Sequence, residues 1–164
     1  MNYFTRTAQL EDIPDITKIY NQGIADRIAT LETRLRTEEE MKEWLENRDE
    51  KHKVIVATDE RNRAFGWSSL NVFNSRCCYS GVVDISVYVE REMRGKGLGK
   101  ILLKALTKTA KEEGFHKLVL STFHKNEGGK RLYQASGFRE VGTYMKQGLL
   151  DGEWIDVTIM EKLL

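Results

Sequence analysis

The stretch that decides the fold is 94-RGKGLGKILLKALTKTAKEEG-114. Its first seven residues hold three glycines and three cations, and a helix pattern follows at once. Leu98, Ile101, Leu102, Ala105, Leu106 and Thr109 fall on one helical stripe, and Gly114 stands where a C-cap glycine belongs. Glycine and cation together do not build a core. At a helix start, however, the first amide groups have no intrahelical partner and the helix dipole leaves partial positive charge there. Such a spot favours an anion, phosphate most often. The glycines let it approach the backbone with no Cβ in the way.

Two nucleotide motifs fail on this stretch. A Walker A loop needs glycine where Arg94 stands and a hydroxyl residue where Ile101 stands. A Gly-x-Gly-x-x-Gly fingerprint read from Gly95 ends at Lys100, and read from Gly97 it ends at Leu102. What remains is Arg-x-x-Gly-x-Gly, carried by Arg94, Gly97 and Gly99.

Working outward, Val82–Val89 (VVDISVYV) is rich in β-branched residues and reads as the strand feeding the glycines. Upstream, residues 3–7 form a short strand. Asp12-Ile13-Pro14 opens a helix with Ile16, Ile19 and Tyr20 on one face. Thr37-Glu38-Glu39-Glu40 is a capping box that starts a second helix. Residues 54–58 and 64–71 pair as a hairpin, with Trp67 reading as core. Downstream come a strand at 117–122 and a short helix around 130–136. Two strands, 138–146 and 154–162, flank a turn at Asp151-Gly152. The order β-α-α-β-β-β-α-β-α-β-β, without repeats or linker, predicts a mixed α/β layer fold in one domain, 1–164.

Composition narrows the function classes. Lys plus Arg is 26 against 25 Asp plus Glu, so no overall basic field draws the chain to nucleic acid or membrane. No apolar run approaches the ~20 residues of a membrane span, and the N-terminus lacks a signal-peptide pattern. Cys77-Cys78 offers neither a disulfide framework nor a metal set, and the three histidines are scattered, so no metal site is expected. The cytoplasm is the expected location.

About thirty residues after the glycines stand Asn126, Leu132-Tyr133 and Gly137-Phe138, in NEGGKRLYQASGF. With Arg94-x-x-Gly97-x-Gly99 this pair of segments resembles the two CoA motifs of the GCN5-related N-acetyltransferase superfamily. The likeness narrows upstream. Ile19-Tyr20-Asn21, Ala29-Thr30-Leu31-Glu32-Thr33, Arg36 to Met41, Trp44-Leu45, Phe73, Arg76, Tyr79 and Ser86 to Val89 resemble the phosphinothricin and methionine sulfoximine N-acetyltransferases. The chain departs from that family at Leu31 (usually Phe), Asp84 (usually Glu), Gly129 (near a usual Ser) and Leu150, where a late Lys is missing.

The resemblance implies an α/β fold with a mixed, mostly antiparallel central sheet flanked by helices. It implies transfer of an acetyl group from acetyl-CoA, the co-substrate, to the amine of a small amino acid or analogue, by a homodimer whose activity confers resistance to such compounds. Gly95, Lys96, Gly97, Leu98, Gly99 and Lys100 are then expected to cradle the CoA pyrophosphate, with charge from Arg94, Lys96 and Lys100. Val87, Tyr88 and Val89 would run beside the pantetheine arm, and Asn126 would bond it. Asp84 stands at the general base and Tyr133 at the tyrosine that protonates the leaving thiolate. Glu32, Arg76 and Tyr79 would hold the substrate, Arg because its fork suits a carboxylate. Two rivals share the fold: acetylation of a protein N-terminus or lysine, and a non-catalytic CoA-binding module.

Overall fold

The structure, a computed structural model, describes residues 2–164. The elements follow the expected order: β1 (Phe4–Thr7), α1 (Ile13–Asp26), α2 (Glu38–Glu46), β2 (Val54–Thr58), β3 (Ala64–Val72), β4 (Val82–Val89), α3 (Leu98–Glu112), β5 (Lys117–Phe123), α4 (Glu127–Ala135), β6 (Arg139–Leu150) and β7 (Glu153–Leu163). They build one seven-stranded sheet in the order β1-β2-β3-β4-β5-β7-β6. Every neighbouring pair is antiparallel except β4 with β5, which is parallel.

Helices cover both faces. On one, α1 and α2 bury Ile13, Ile16, Ile19 and Met41 against Val56 and Trp67. On the other, α3 buries Leu98, Leu102 and Leu106 against Leu70, Val83 and Ile85, with Leu132 and Tyr133 of α4 packed at the same core. Strand alternation divides β4 accordingly. Val83 and Ile85 face α3, whereas Tyr88 belongs to the α1–α2 side. Asp84 and Ser86 share the Tyr88 row.

Local chemistry explains the starts and stops. Pro14 sits in the first turn of α1, and Asp12 just before it is held by Arg6 through two contacts of 2.7 and 2.8 Å. The Thr37 hydroxyl accepts the Glu40 amide at 3.1 Å and caps α2, while the Glu40 carboxylate pairs with Arg34.

Three expectations shift. The buried face of α3 includes Leu103 and Ala110 and leaves Ile101 exposed, because the helix packs closely over β3. A Cβ on Gly66 would lie 2.9 Å from Leu102 Cδ1. Helix α4 begins at Glu127 and not near residue 130. Asn126 Oδ1 accepts the Gly129 amide at 3.0 Å, and this cap outweighs the low helix propensity of Gly128-Gly129. Strand β6 runs on to Leu150 because it stays paired through an irregular segment between Tyr144 and Gly148, up to a tight turn with positive φ at Asp151 and Gly152.

Candidate active site

Strands β4 and β5 pair through only three positions, Val82↔Lys117, Val83↔Leu118 and Asp84↔Val119, and then part. The parting leaves a cleft walled by the second halves of both strands. Its chemistry follows from the β3–β4 ladder. The Glu90 amide donates to Phe65 O at 2.8 Å, so alternation turns the main-chain groups of Asp84, Ser86 and Tyr88 toward β3. Those of Ile85, Val87 and Val89 face the cleft. An extended, amide-bearing chain laid there finds a strand edge to bond.

The glycine loop closes one end of this cleft. Gly95 and Gly97 have φ of 75° and 89°, and a Cβ on either would meet nothing within 4 Å. Their need is therefore backbone conformation and open approach. Gly97 caps α3, so the first amides of a 15-residue helix point outward there. Gly99 serves differently: a Cβ would fall 2.8 Å from Leu132 Cδ2, so its absence lets α4 pack on α3. That contact joins the two sequence segments into one structure. Lys96 and Lys100 are exposed and, among the described residues, enter no ion pair. Arg94 is committed elsewhere. Its Nη1 lies 2.6 Å from Asp26 and its Nε donates to Val89 O at 3.3 Å, so it ties the loop to α1 and to the end of β4.

Asp84 sits at the fork itself. Burial pushes its carboxyl up to about 6, and the Asn71 amide opposite it on β3 pulls part of the way back. Such a group is ionised at neutral pH yet basic enough to accept a proton. From α4, Tyr133 packs edge-on to Phe138 with ring centroids 5.8 Å apart, and burial raises its phenol to about 12. It therefore keeps its proton and remains a donor. Burial also raises the Tyr88 phenol, on the other face of β4.

The chain thus carries a strand fork, a helix N-terminus opened by glycines, a carboxylate tuned upward and a protonated phenol, the kinds of group that acyl transfer from a phosphate-bearing thioester calls for. The family comparison agrees: residues 5–159 match the acetyltransferase (GNAT) domain. The chain belongs to the GNAT acetyltransferases. It is 30% identical over 162 residues to the L-methionine sulfoximine/L-methionine sulfone acetyltransferase of Pseudomonas aeruginosa, covering 98% of this chain and 94% of that one. A GNAT phosphinothricin acetyltransferase from Sinorhizobium meliloti, solved with acetyl-CoA, superposes with a TM-score of 0.93 at 30% identity, over 100% of this chain and 89% of the other. A ribosomal-protein-alanine N-acetyltransferase from Brucella melitensis superposes equally well, with a TM-score of 0.94 at 31% identity over 98% and 99% of the two chains.

Within this GNAT chain the residues expected around a substrate do not gather at one point. Arg76 and Tyr79 are exposed and line a cavity of about 320 Å³ with His52, Phe73, Val82 and Phe115, at the Asp84 end of β4. Glu32, in the α1–α2 loop, pairs with Arg36 at 3.0 Å. That loop packs on the β6–β7 hairpin through Leu31, whose side chain takes the space a Cβ on Gly148 would fill. Tyr88 is also corrected. Its main chain bonds β3 and its ring stacks on Trp67 at 4.9 Å, so it turns away from the cleft that Val87 and Val89 face. The Leu98 side chain is core, leaving only its backbone to a ligand. Asn126 caps α4 and its Nδ2 donates to Thr122 at 3.2 Å.

Three residues of the GNAT site escaped the sequence reading. Asp26 holds both Arg91 and Arg94 at the end of α1. Arg36 and Asn71 line a second cavity beneath α2. Only the β3–β4 register brings Asn71 opposite Asp84, and no local pattern signals it.

The raised pKa of Asp84 has a consequence for stability. The folded chain holds this proton more tightly than the unfolded chain, so the carboxyl favours folding at low pH and opposes it as pH rises from about 4 toward 6. Asp84→Asn removes that opposition. Its melting temperature is expected to exceed that of the wild type at pH 8, with the gap closing toward pH 4 in calorimetric scans.

Proposed function

We propose that this GNAT enzyme acetylates the amine of a small amino acid or amino-acid analogue of the methionine sulfoximine or phosphinothricin type, with acetyl-CoA as donor. The observation that carries the reading is the place of Asp84, buried at the point where β4 and β5 part. The pyrophosphate of the donor lies over the amides of Gly95 to Lys100, with Lys96 and Lys100 adding charge. Its arm runs along the cleft-facing groups of Val87 and Val89 toward Asn126. Asp84, directly or through a water, takes a proton from the amine. The amine nitrogen bonds the thioester carbonyl carbon, the carbon–sulfur bond breaks, and Tyr133 gives its proton to the departing thiolate. Cleft-facing amides of β4 polarise the carbonyl. Arg76 and Tyr79 hold the acceptor's carboxylate, while Glu32, paired with Arg36, stands apart from them.

The enzyme acts as one domain, 1–164, in the cytoplasm, and its activity protects against toxic analogues. No described helix is long and apolar enough to cross a membrane. We infer a homodimer from the apolar side chains left exposed on the β6–β7 hairpin, Tyr144, Met145, Leu149 and Trp154 among them. A second reading, acetylation of a protein N-terminus, draws on the likeness to the Brucella melitensis enzyme. Release of free CoA with methionine sulfoximine, set against release with an alanine-ended peptide, separates the two. The presence of Asp84 and Tyr133 speaks against a non-catalytic module.

Gly97→Val places a branched side chain at positive φ over the amides. It is expected to weaken acetyl-CoA binding sharply in calorimetry, with an unchanged circular dichroism spectrum. Unaltered affinity would move the pyrophosphate elsewhere. Asp84→Asn is expected to slow turnover most near pH 7 and less as pH rises, because free amine then needs no base, and to abolish the acidic limb near pH 6 in kcat/KM. Arg76→Ala removes one charge-assisted contact, about 1.5–3 kcal/mol. It is therefore expected to lower kcat/KM for methionine sulfoximine on the order of tenfold to a hundredfold, with little effect on an amine lacking a carboxylate.

A further inference from the structure

Arg48 stands just past the end of α2, and its guanidinium turns into the fold. It lies over the Trp44 ring at 4.7 Å, and its Nε donates to His52 O at 2.9 Å. Its Nη2 donates twice. One bond goes to the Leu70 carbonyl, just past the last β2–β3 pair, Val54 with Ser69. The other goes to Asn71 Oδ1 at 2.9 Å. These three oxygens are neutral, and burial holds the guanidinium below its usual pKa. A half-buried cation set against neutral groups is a cost to the fold.

The contact with Asn71 gives that cation a task. A guanidinium only donates, so the Asn71 amide must turn its oxygen to Arg48 and its nitrogen away. That nitrogen donates to Ser86 Oγ at 3.2 Å. Asn71 also pairs in register with Asp84, and the same amide bonds the Asp84 carboxyl. With the amide reversed, N–H groups would face each other at Arg48 and an oxygen would face the carboxylate. Arg48 therefore decides which end of Asn71 the base meets.

Other charges reach this face from the neighbouring elements. The α2 side brings Arg36, met by Glu32 at 3.0 Å and Glu40 at 3.7 Å, and Glu43, which lines one cavity with Asn71 and Ser86. On the β5 side Asp84 pairs with Val119, and Glu161 beyond it is held by Lys117 and Arg139. The causes that act on the Asp84 carboxyl itself are burial and, in the opposite direction, the Asn71 amide.

We propose that Arg48 is a positioning residue for the base: it fixes the Asn71 amide with its nitrogen toward β4, so that the Asp84 carboxylate always meets a donor. The proposal rests on the reading of Asp84 as general base and deepens it.

The test follows the Asp84 carboxyl against pH by carbon-13 NMR in the full-length protein, assigned by its loss in Asp84→Asn. Alongside it, kcat/KM with acetyl-CoA is measured from pH 5 to 9 with methionine sulfoximine or the alanine-ended peptide, whichever the wild type uses. Arg48→Met keeps an unbranched stem against Trp44 and removes the donors. A hydrogen bond to the charged form favours it, so its loss is expected to raise the Asp84 midpoint by about one pH unit. The acidic limb moves with it: kcat/KM falls about twofold at pH 7 and about tenfold at pH 5, and is unchanged at pH 9. Asn71→Ala is expected to shift both readouts the same way, and the double variant no further than Asn71→Ala alone. Should Arg48→Met not fold, Arg48→Gln is read by the same criterion, since its amide nitrogen stands where the Arg Nε bonds His52 O. A folded Arg48 variant with an unmoved Asp84 midpoint overturns the proposal. So does a double variant whose shift is the sum of the two single shifts, because Arg48 would then act through its own charge. An acidic limb that persists in Asp84→Asn, or a wild type that uses neither substrate, overturns the base reading and the proposal with it. A limb lost in Asp84→Asn but unmoved in Arg48→Met overturns the proposal alone.

Discussion

The whole site depends on one short parallel pairing. Strands β4 and β5 hold together at Val82, Val83 and Asp84 and nowhere beyond. Backbone groups removed from water need partners, and the parting of the strands leaves those of Ile85, Val87 and Val89 without a neighbouring strand. The surrounding structure keeps this edge open. Arg94 bridges Asp26 and the Val89 carbonyl, α3 buries Leu98 and Leu102 beneath the strand, and Gly99 admits Leu132 so that α4 flanks the opening. An antiparallel partner running the full length of β4 would have closed the cleft.

Electrostatics at the fork works by opposed requirements met with one means. Burial raises both Asp84 and Tyr133, to about 6 and about 12. The same physical cause makes the carboxyl more basic and keeps the phenol protonated, each in its own buried setting. The nearby cations do not disturb this balance. Arg91 and Arg94 are matched by Asp26, whose own carboxyl they hold below the usual range. Arg36 is matched by Glu32 and Glu40. The free positive charge is left to the glycine loop and to Arg76, at opposite ends of β4, where anions are expected.

Two cavities of different character open along the sheet. The one at the start of β4 is exposed and carries Arg76, which has no ion pair among the described residues; the one beneath α2 is aromatic, and its Arg36 is charge-compensated. The departures at Leu31 and Leu150 lie at the α1–α2 loop and the β6–β7 hairpin, away from the fork.

Much was legible in the sequence because it is local. The glycines, the cap at Thr37, the turn at Asp151-Gly152 and the β-branched run of β4 act within a few residues, and they set the element order, the helix N-terminus for an anion and the family likeness. The position of Asp84 within its strand was visible too. What depends on register and packing was not. That Tyr88 turns from the cleft, that Arg94 is spent on Asp26, and that Asn71 stands opposite Asp84 follow from pairings between distant segments. A strand's pattern says which residues share a face, and only the neighbouring strand says what they meet. The burial that shifts Asp84 is likewise the work of helices far off in the chain, so its pKa belongs to the tertiary structure alone.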